Sequence, residues 1–194
     1  QQNIIPVVNE ALHKAKLDKH QLHAIAFTRG PGLIGSLLVG TSFAKSFALA
    51  LDIPIIEVNH MQAHVLANFA SDMNDNNFTP PSFPFLCLTV SGGHTQIVLV
   101  ESFYEMRVIG QTTDDAAGEA FDKVARMLGL TYPGGPEISK LAEKERRCAR
   151  TVLAQVPIVL PRPMMHTKNF DLSFSGIKTA VLYLTRKINT LDNE

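Results

Sequence analysis

His60 and His64, in the run Val58-Asn59-His60-Met61-Gln62-Ala63-His64-Val65, are spaced to close on one metal ion. Four residues is slightly more than one helical turn, so both imidazoles leave the same face of a helix. Imidazole is the commonest transition-metal ligand among side chains, and i,i+4 is the spacing that converges. Met61 stands where an HExxH zinc-protease helix carries its general-base Glu, so any bound metal lacks a built-in water activator. Two ligands do not complete a site, and a third must come from elsewhere. Surface and core histidines are also commoner than ligands, so the pair gains weight only from its surroundings.

Those surroundings include a second motif. Thr89-Val90-Ser91-Gly92-Gly93-His94 lies between two apolar runs. Gly-Gly serves either as a tight hairpin turn or as a stretch whose bare backbone N–H groups cradle phosphate oxygens. Asp122, in Glu119-Ala120-Phe121-Asp122-Lys123, either pairs with Arg126 one turn on or accepts hydrogen bonds from ribose hydroxyls. Gly134 and Gly135, in Tyr132-Pro133-Gly134-Gly135-Pro136, either stop a helix or let a nucleobase lie against bare backbone. One nucleotide site with a metal near its phosphates accounts for all four features together.

The elements that must position these residues follow from periodicity. Residues 3–16 read as an amphipathic helix and residues 24–28 as a short strand, ended by the turn Arg29-Gly30-Pro31-Gly32. Residues 33–51 form a long apolar helix rich in small residues. Residues 54–58 give a second strand, and the histidine helix follows it. Strand, helix, strand, helix implies a parallel sheet with a crossover, and it puts His60 at a carboxyl strand end, where open α/β sheets place ligands. Residues 71–81 are polar and proline-ended, a linker. Strands at 85–90, 95–101 and 106–110 then form a meander before a helix at 117–128. The Tyr132–Pro136 run stops that helix, and helices at about 137–155 and 176–189 flank an extended piece, 157–163. The domains so read are 1–72, a linker at 73–84, and 85–194.

Composition narrows the classes. Hydrophobic content is 45% and charged content 19%, which suits a globular chain able to bury a core. Residues 1–102 hold 5 Lys/Arg against 7 Asp/Glu, net −2, and residues 103–194 hold 13 against 11, net +2. No global field draws the molecule to nucleic acid. The basic stretch Lys140, Lys144, Arg146, Arg147 and Arg150 is interleaved with Glu143 and Glu145, the pattern of a solvated helix face. Cys87 and Cys148 make no disulfide framework, which suits a reducing compartment. No apolar run is expected to reach transmembrane length, and no signal peptide is visible. The start at Gln1 without Met, and an end trailing off a helix, read as a piece of a longer chain.

Five runs in order carry a resemblance: Asn59–His64, Thr89–Gln96, Asp114–Lys123, Tyr132–Pro136 and Phe174–Ala180. They closely resemble the TsaD family, the bacterial branch of the tRNA N6-threonylcarbamoyladenosine enzymes, long labelled glycoproteases. The Ser91-Gly92-Gly93-His94 form resembles bacterial or organellar members. The resemblance implies an α/β fold of the actin, Hsp70 and sugar-kinase type (ASKHA), with two RNase-H-like lobes around a nucleotide cleft, both incomplete here. It implies that His60 and His64 ligate one divalent ion, iron or zinc, that Thr89, Val90, Ser91, Gly92 and Gly93 line the phosphate side, and that Asp122 and Gly135 hold the nucleoside. No further catalytic residue is assigned. The implied reaction passes threonylcarbamoyl from threonylcarbamoyl-AMP to N6 of the adenosine 3′ of the anticodon in tRNAs reading codons that begin with A. The implied partners are tRNA, TsaB and the ATPase TsaE, in the cytoplasm and away from membranes.

Two departures qualify this. The family's first strand precedes residue 1, and its third metal ligand, an Asp, with a nucleoside-contacting Asn, lies beyond Glu194. The 194 residues alone are therefore expected to be inactive and to bind metal weakly. Competing readings are a small-molecule kinase on the same fold, which has no use for the histidines, and a non-catalytic nucleotide- or partner-binding module, in which the pair would be absent.

Overall fold

A computed structural model describes residues 2–71, 77–148 and 159–191, which form two compact units, Gln1–Pro81 and Ser82–Glu194. The architecture is mixed α/β.

The first unit opens with α1 (Ile4–Ala15), closed by Lys16 in the left-handed conformation. β1 (Ile25–Gly30) leads through α2 (Ile34–Leu51) to β2 (Ile55–Asn59), which pairs parallel with β1 in the register Ile25 to Ile55. This is the strand–helix–strand unit expected from the alternation of short apolar runs with a long helical one. Phe27 on β1, Ala44 and Ala48 on α2, and Val65 are buried. The small side chains let α2 lie close on β1. By length and composition alone α2 could cross a membrane, which corrects the expectation that no apolar run reaches that length. Here it serves as a crossover helix, with Lys45 in its middle. α1, β1 and α2 line an apolar groove of about 790 Å³ that reaches His60.

In the second unit β3 (Phe85–Val90), β4 (Thr95–Val100) and β5 (Met106–Gln111) form an antiparallel meander in the order β3-β4-β5. Thr89, Val98 and Val100 share one face of the sheet and are buried, whereas Leu86, Leu88 and Val90 on the opposite face of β3 are exposed; Thr95, paired with Val90 on that second face, is buried. Among the described residues that follow are the helices α4 (Ala117–Met127), α5 (Gly134–Cys148) and α6 (Ser175–Leu191), with α4 packed against both others. α4 buries a stripe of Ala117, Ala120 and Ala125, small enough for close helix contact.

The run Tyr132–Pro136 departs from its expected role as a stop. α4 already ends at Met127, and Gly134 and Gly135 form the first turn of α5. The Asp122 carboxylate supplies the reason, because its Oδ1 accepts the Gly134 N–H at 2.7 Å and so caps the new helix. On α5, Lys140 pairs with Glu137 and Arg146 with Glu143, the behaviour of a solvated face. The expected continuation of this helix to residue 155, Arg150, and the start of the extended piece at 157 lie outside the described residues.

Two acidic neighbours tie α6 down. Asp114 accepts hydrogen bonds from the Ser173 hydroxyl, the Phe174 N–H (2.8 Å), and the N–H and hydroxyl of Ser175 (3.2 and 2.8 Å). Burial works against the Asp114 anion, but these four donors outweigh it and hold the carboxyl at about 2. Asp115 receives Lys123 Nζ at 2.6 Å and Lys178 Nζ at 3.0 Å, and these hydrogen bonds, Lys123's first, lower its pKa. A carboxyl lowered on folding stabilises above its unfolded pKa and loses that contribution as pH falls through its folded pKa. The Asp114 anchor should thus persist near pH 4 and fail towards pH 2. In an acid titration followed by circular dichroism, Asp114→Asn is expected to be less stable at pH 7 and to lose less stability than wild type between pH 4 and pH 2.

Candidate functional site

Asn59 decides where the histidines stand. It ends β2 in extended conformation, and its Oδ1 accepts the N–H groups of Met61 (2.9 Å) and Gln62 (3.1 Å), an N-cap worth about 1 kcal/mol. α3 (His60–Leu66) therefore begins at His60, and Val65, almost fully buried, pins it to the unit. His60 is half-buried and His64 exposed. Their Nε2 atoms lie 3.2 Å apart, the rings edge-on with centroids 4.5 Å apart.

That separation suits two ligands on one ion. Metal–nitrogen bonds of about 2.0–2.1 Å in tetrahedral geometry place two nitrogens about 3.3 Å apart. The same distance also serves a direct N–H···N bond, one ring donating and the other accepting. Among the described residues, no group of three or more His, Cys, Asp or Glu is placed to hold a metal. The pair fits a metal as a bidentate clamp.

The second unit gathers the glycine motifs. In the β3–β4 connection the Ser91 N–H donates to the His94 carbonyl at 2.8 Å, and the Ser91 hydroxyl donates to that carbonyl and accepts the His94 N–H at 3.0 Å. The Gly93 N–H approaches the same hydroxyl at 3.4 Å. Ser91 thus spends its hydroxyl on shaping the turn. The Thr89 side chain is buried in the unit and its hydroxyl has no hydrogen-bond partner among the described residues, while Val90 is exposed on the opposite face.

This turn is stitched to α4. The buried Thr95 hydroxyl accepts the Ala117 N–H at 2.9 Å, and the Ser91 carbonyl accepts the Gly118 N–H at 3.1 Å. These two bonds satisfy the first donors of a helix whose own N-cap, Ala116, has no capping side chain. Thr95 and Gly118 lie inside the quoted motifs, yet neither shows its role in the sequence, since the partners are about twenty or more residues away. Thr95→Val should leave the Ala117 N–H buried without a partner. The expected cost is about 1–3 kcal/mol in chemical denaturation.

The glycines divide into two kinds. A Cβ on Gly118 would meet Gly92 Cα and the Ser91 carbonyl at 2.8 Å, and one on Gly134 would meet Ala125 Cβ at 2.3 Å and Asp122 Cα at 3.0 Å. Those two positions are glycine because neighbouring chain leaves no room. A Cβ on Gly92 or Gly93 meets nothing within 4 Å among the described residues, and one on Gly135 meets only Phe121 Cβ at 3.8 Å. None of these three has the positive φ that would favour glycine. Neither packing nor backbone conformation within the described residues explains them. Asp122 lies beside Gly134, with Oδ1 engaged by its N–H, and no described ion pair joins Asp122 to Arg126.

The chain is thus a mixed α/β protein with two converging histidines on one unit and, on the other, glycines that no described neighbour fills, one of them next to the helix turn that Asp122 caps. The family model of TsaD, described as tRNA N6-adenosine threonylcarbamoyltransferase, matches residues 1–191, and the chain belongs to that family. The tRNA N6-adenosine threonylcarbamoyltransferase of Christiangramia forsetii is 55% identical over 194 residues, 100% of this chain and 53% of that protein. Its counterpart in Porphyromonas gingivalis is 57% identical over 186 residues, 96% of this chain and 51% of that protein. The chain therefore spans about half the length of these curated relatives. A solved structure titled YeaZ from Pseudomonas aeruginosa superposes with a TM-score of 0.38 at 21% identity, covering 60% of this chain and 51% of that one, too distant to carry an argument.

Proposed function

We propose that the full-length protein transfers a threonylcarbamoyl group from threonylcarbamoyl-AMP to N6 of the adenosine 3′ of the anticodon in tRNAs reading codons that begin with A. Family membership supports this reading, and one observation in the structure carries it: Gly92, Gly93 and Gly135 have open space where neither packing nor φ requires glycine. We assign Thr89 to Gly93 to the phosphate side, through backbone groups at Thr89, whose side chain is buried. Asp122, through Oδ2, and Gly135 take the nucleoside side. Each unit corresponds, in this reading, to part of an RNase-H-like lobe of an ASKHA fold, the lobes being 1–72 and 85–194.

In the reaction the adenosine N6 attacks the carbamoyl carbon of the mixed anhydride. The new N–C bond forms as the C–O bond to phosphate breaks, the electron pair leaves with AMP, and N6 gives up a proton to solvent. The amine is a weak nucleophile, so holding donor and acceptor in register supplies much of the rate. A divalent ion, iron or zinc, on His60 and His64, with a third protein ligand outside these 194 residues, would supply Lewis-acid polarisation of a donor oxygen. tRNA, TsaB and TsaE are the partners this reading brings, in the cytoplasm where tRNA is modified. The test is incubation of full-length protein and those partners with threonylcarbamoyl-AMP, labelled in the carbamoyl carbon, and tRNA. Label in the tRNA supports the reading; label found only in hydrolysed donor, with a competent positive control, removes it.

A further inference from the structure

Phe121 is a half-exposed aromatic residue at the α4–α5 junction, where Met127, Leu128 and Tyr132 are also exposed but contribute no atom next to the missing Cβ of Gly135. It stands on α4 one residue before Asp122, and 47% of its surface is exposed, whereas Ala120 and Ala125 beside it are buried. The atom nearest to the missing Cβ of Gly135 is Phe121 Cβ, at 3.8 Å. Gly134 immediately before is filled to contact by Ala125 and Asp122, whereas Gly135 has Phe121 Cβ at ordinary van der Waals distance and no other described atom within 4 Å. A half-exposed phenylalanine, a strip of bare backbone and an anchored carboxylate therefore come together at one small patch of the second unit.

Each part matches a different part of a nucleoside. Aromatic side chains bind bases by stacking, because every base presents a π-face. Bare backbone admits a flat ring at van der Waals distance, and a carboxylate oxygen accepts from ribose hydroxyls. We propose that Phe121 is the aromatic wall on which the adenine of the donor nucleotide packs, opposite the open side of Gly135. This rests on the nucleoside reading of Asp122 and Gly135 given above, and deepens it by assigning the base contact.

The experiment is titration of the full-length protein with AMP by calorimetry, for wild type, Phe121→Leu, Phe121→Trp and Tyr104→Ala. Tyr104 is 96% exposed in the β4–β5 turn and serves as an aromatic control away from the patch. Leu keeps the apolar bulk that mere packing would need but has no π-face. Phe121→Leu should therefore raise the Kd for AMP about tenfold, within what base stacking on an aromatic supplies, with the thermal midpoint unchanged. Phe121→Trp should retain affinity, and AMP should quench its emission relative to wild type. Tyr104→Ala should bind as wild type does. AMP binding by Phe121→Leu at wild-type affinity, or no quenching in Phe121→Trp, would overturn the assignment of Phe121 alone. No AMP binding by wild type would overturn it together with the nucleoside reading beneath it.

Discussion

Wild-type full-length protein should be purified with a bound metal ion and His60→Ala without it, and the transfer rate expected of wild type should fall at least about a hundredfold in the variant. Removing one arm of a bidentate clamp leaves a single imidazole, and even changes to groups that only orient a ligand cost about 10–100-fold in metal affinity or activity. His64→Ala should do the same, because the two Nε2 atoms converge at 3.2 Å and neither dominates. Asn59→Ala supplies a graded control. It removes the cap that starts α3 at His60, costing about 1 kcal/mol, yet leaves both ligands in the chain. Metal content by elemental analysis should therefore fall in the order wild type, Asn59→Ala, His60→Ala. Full metal occupancy in His60→Ala would show that the pair holds nothing.

Two adjacent glycines should respond in opposite directions. Gly134→Ala drives a Cβ to 2.3 Å from Ala125 Cβ, so α4 and α5 must separate, and overpacking of this kind costs about 1–3 kcal/mol. Gly135→Ala meets only Phe121 Cβ at 3.8 Å, an ordinary contact, and replaces a poor helix former in the first turn of α5. Its stability should be unchanged or higher by up to about 1 kcal/mol. The new methyl would nevertheless fill the space assigned to the nucleoside, so AMP affinity should fall about tenfold or more while the fold is retained. Denaturation midpoints and AMP titration on the same two variants check both halves. Equal destabilisation by the two changes would remove the distinction between packed and open glycines.

The i,i+4 histidines and the parallel strand–helix–strand unit were legible because both follow from local periodicity. The Asn59 cap falls immediately before His60, and α2 joins two short apolar runs. What stayed hidden depends on residues distant in sequence. Tyr132–Pro136 has the composition of a helix stop, but Asp122, twelve residues earlier, caps Gly134 and turns the same run into a helix start. α4 has no cap of its own and takes Thr95 from 22 residues upstream. Asp114 and Asp115 look like ordinary acidic residues until α6 arrives with Ser175 and Lys178, 61 and 63 positions away. Gly134 and Gly135 are identical as letters. Only the atoms standing beside each one separate a packing glycine from an open one.

In the proposed function the paired histidines and the open glycines serve a single threonylcarbamoyl transfer. Its most direct test is mass analysis of the nucleosides of an A-codon-reading tRNA after incubation with threonylcarbamoyl-AMP, the partner proteins, and full-length wild type or His60→Ala. The expected result is threonylcarbamoyladenosine with wild type and none above background with His60→Ala. Equal yields from both would contradict the metal role of the histidines, and no product from wild type beside a working positive control would contradict the transferase itself.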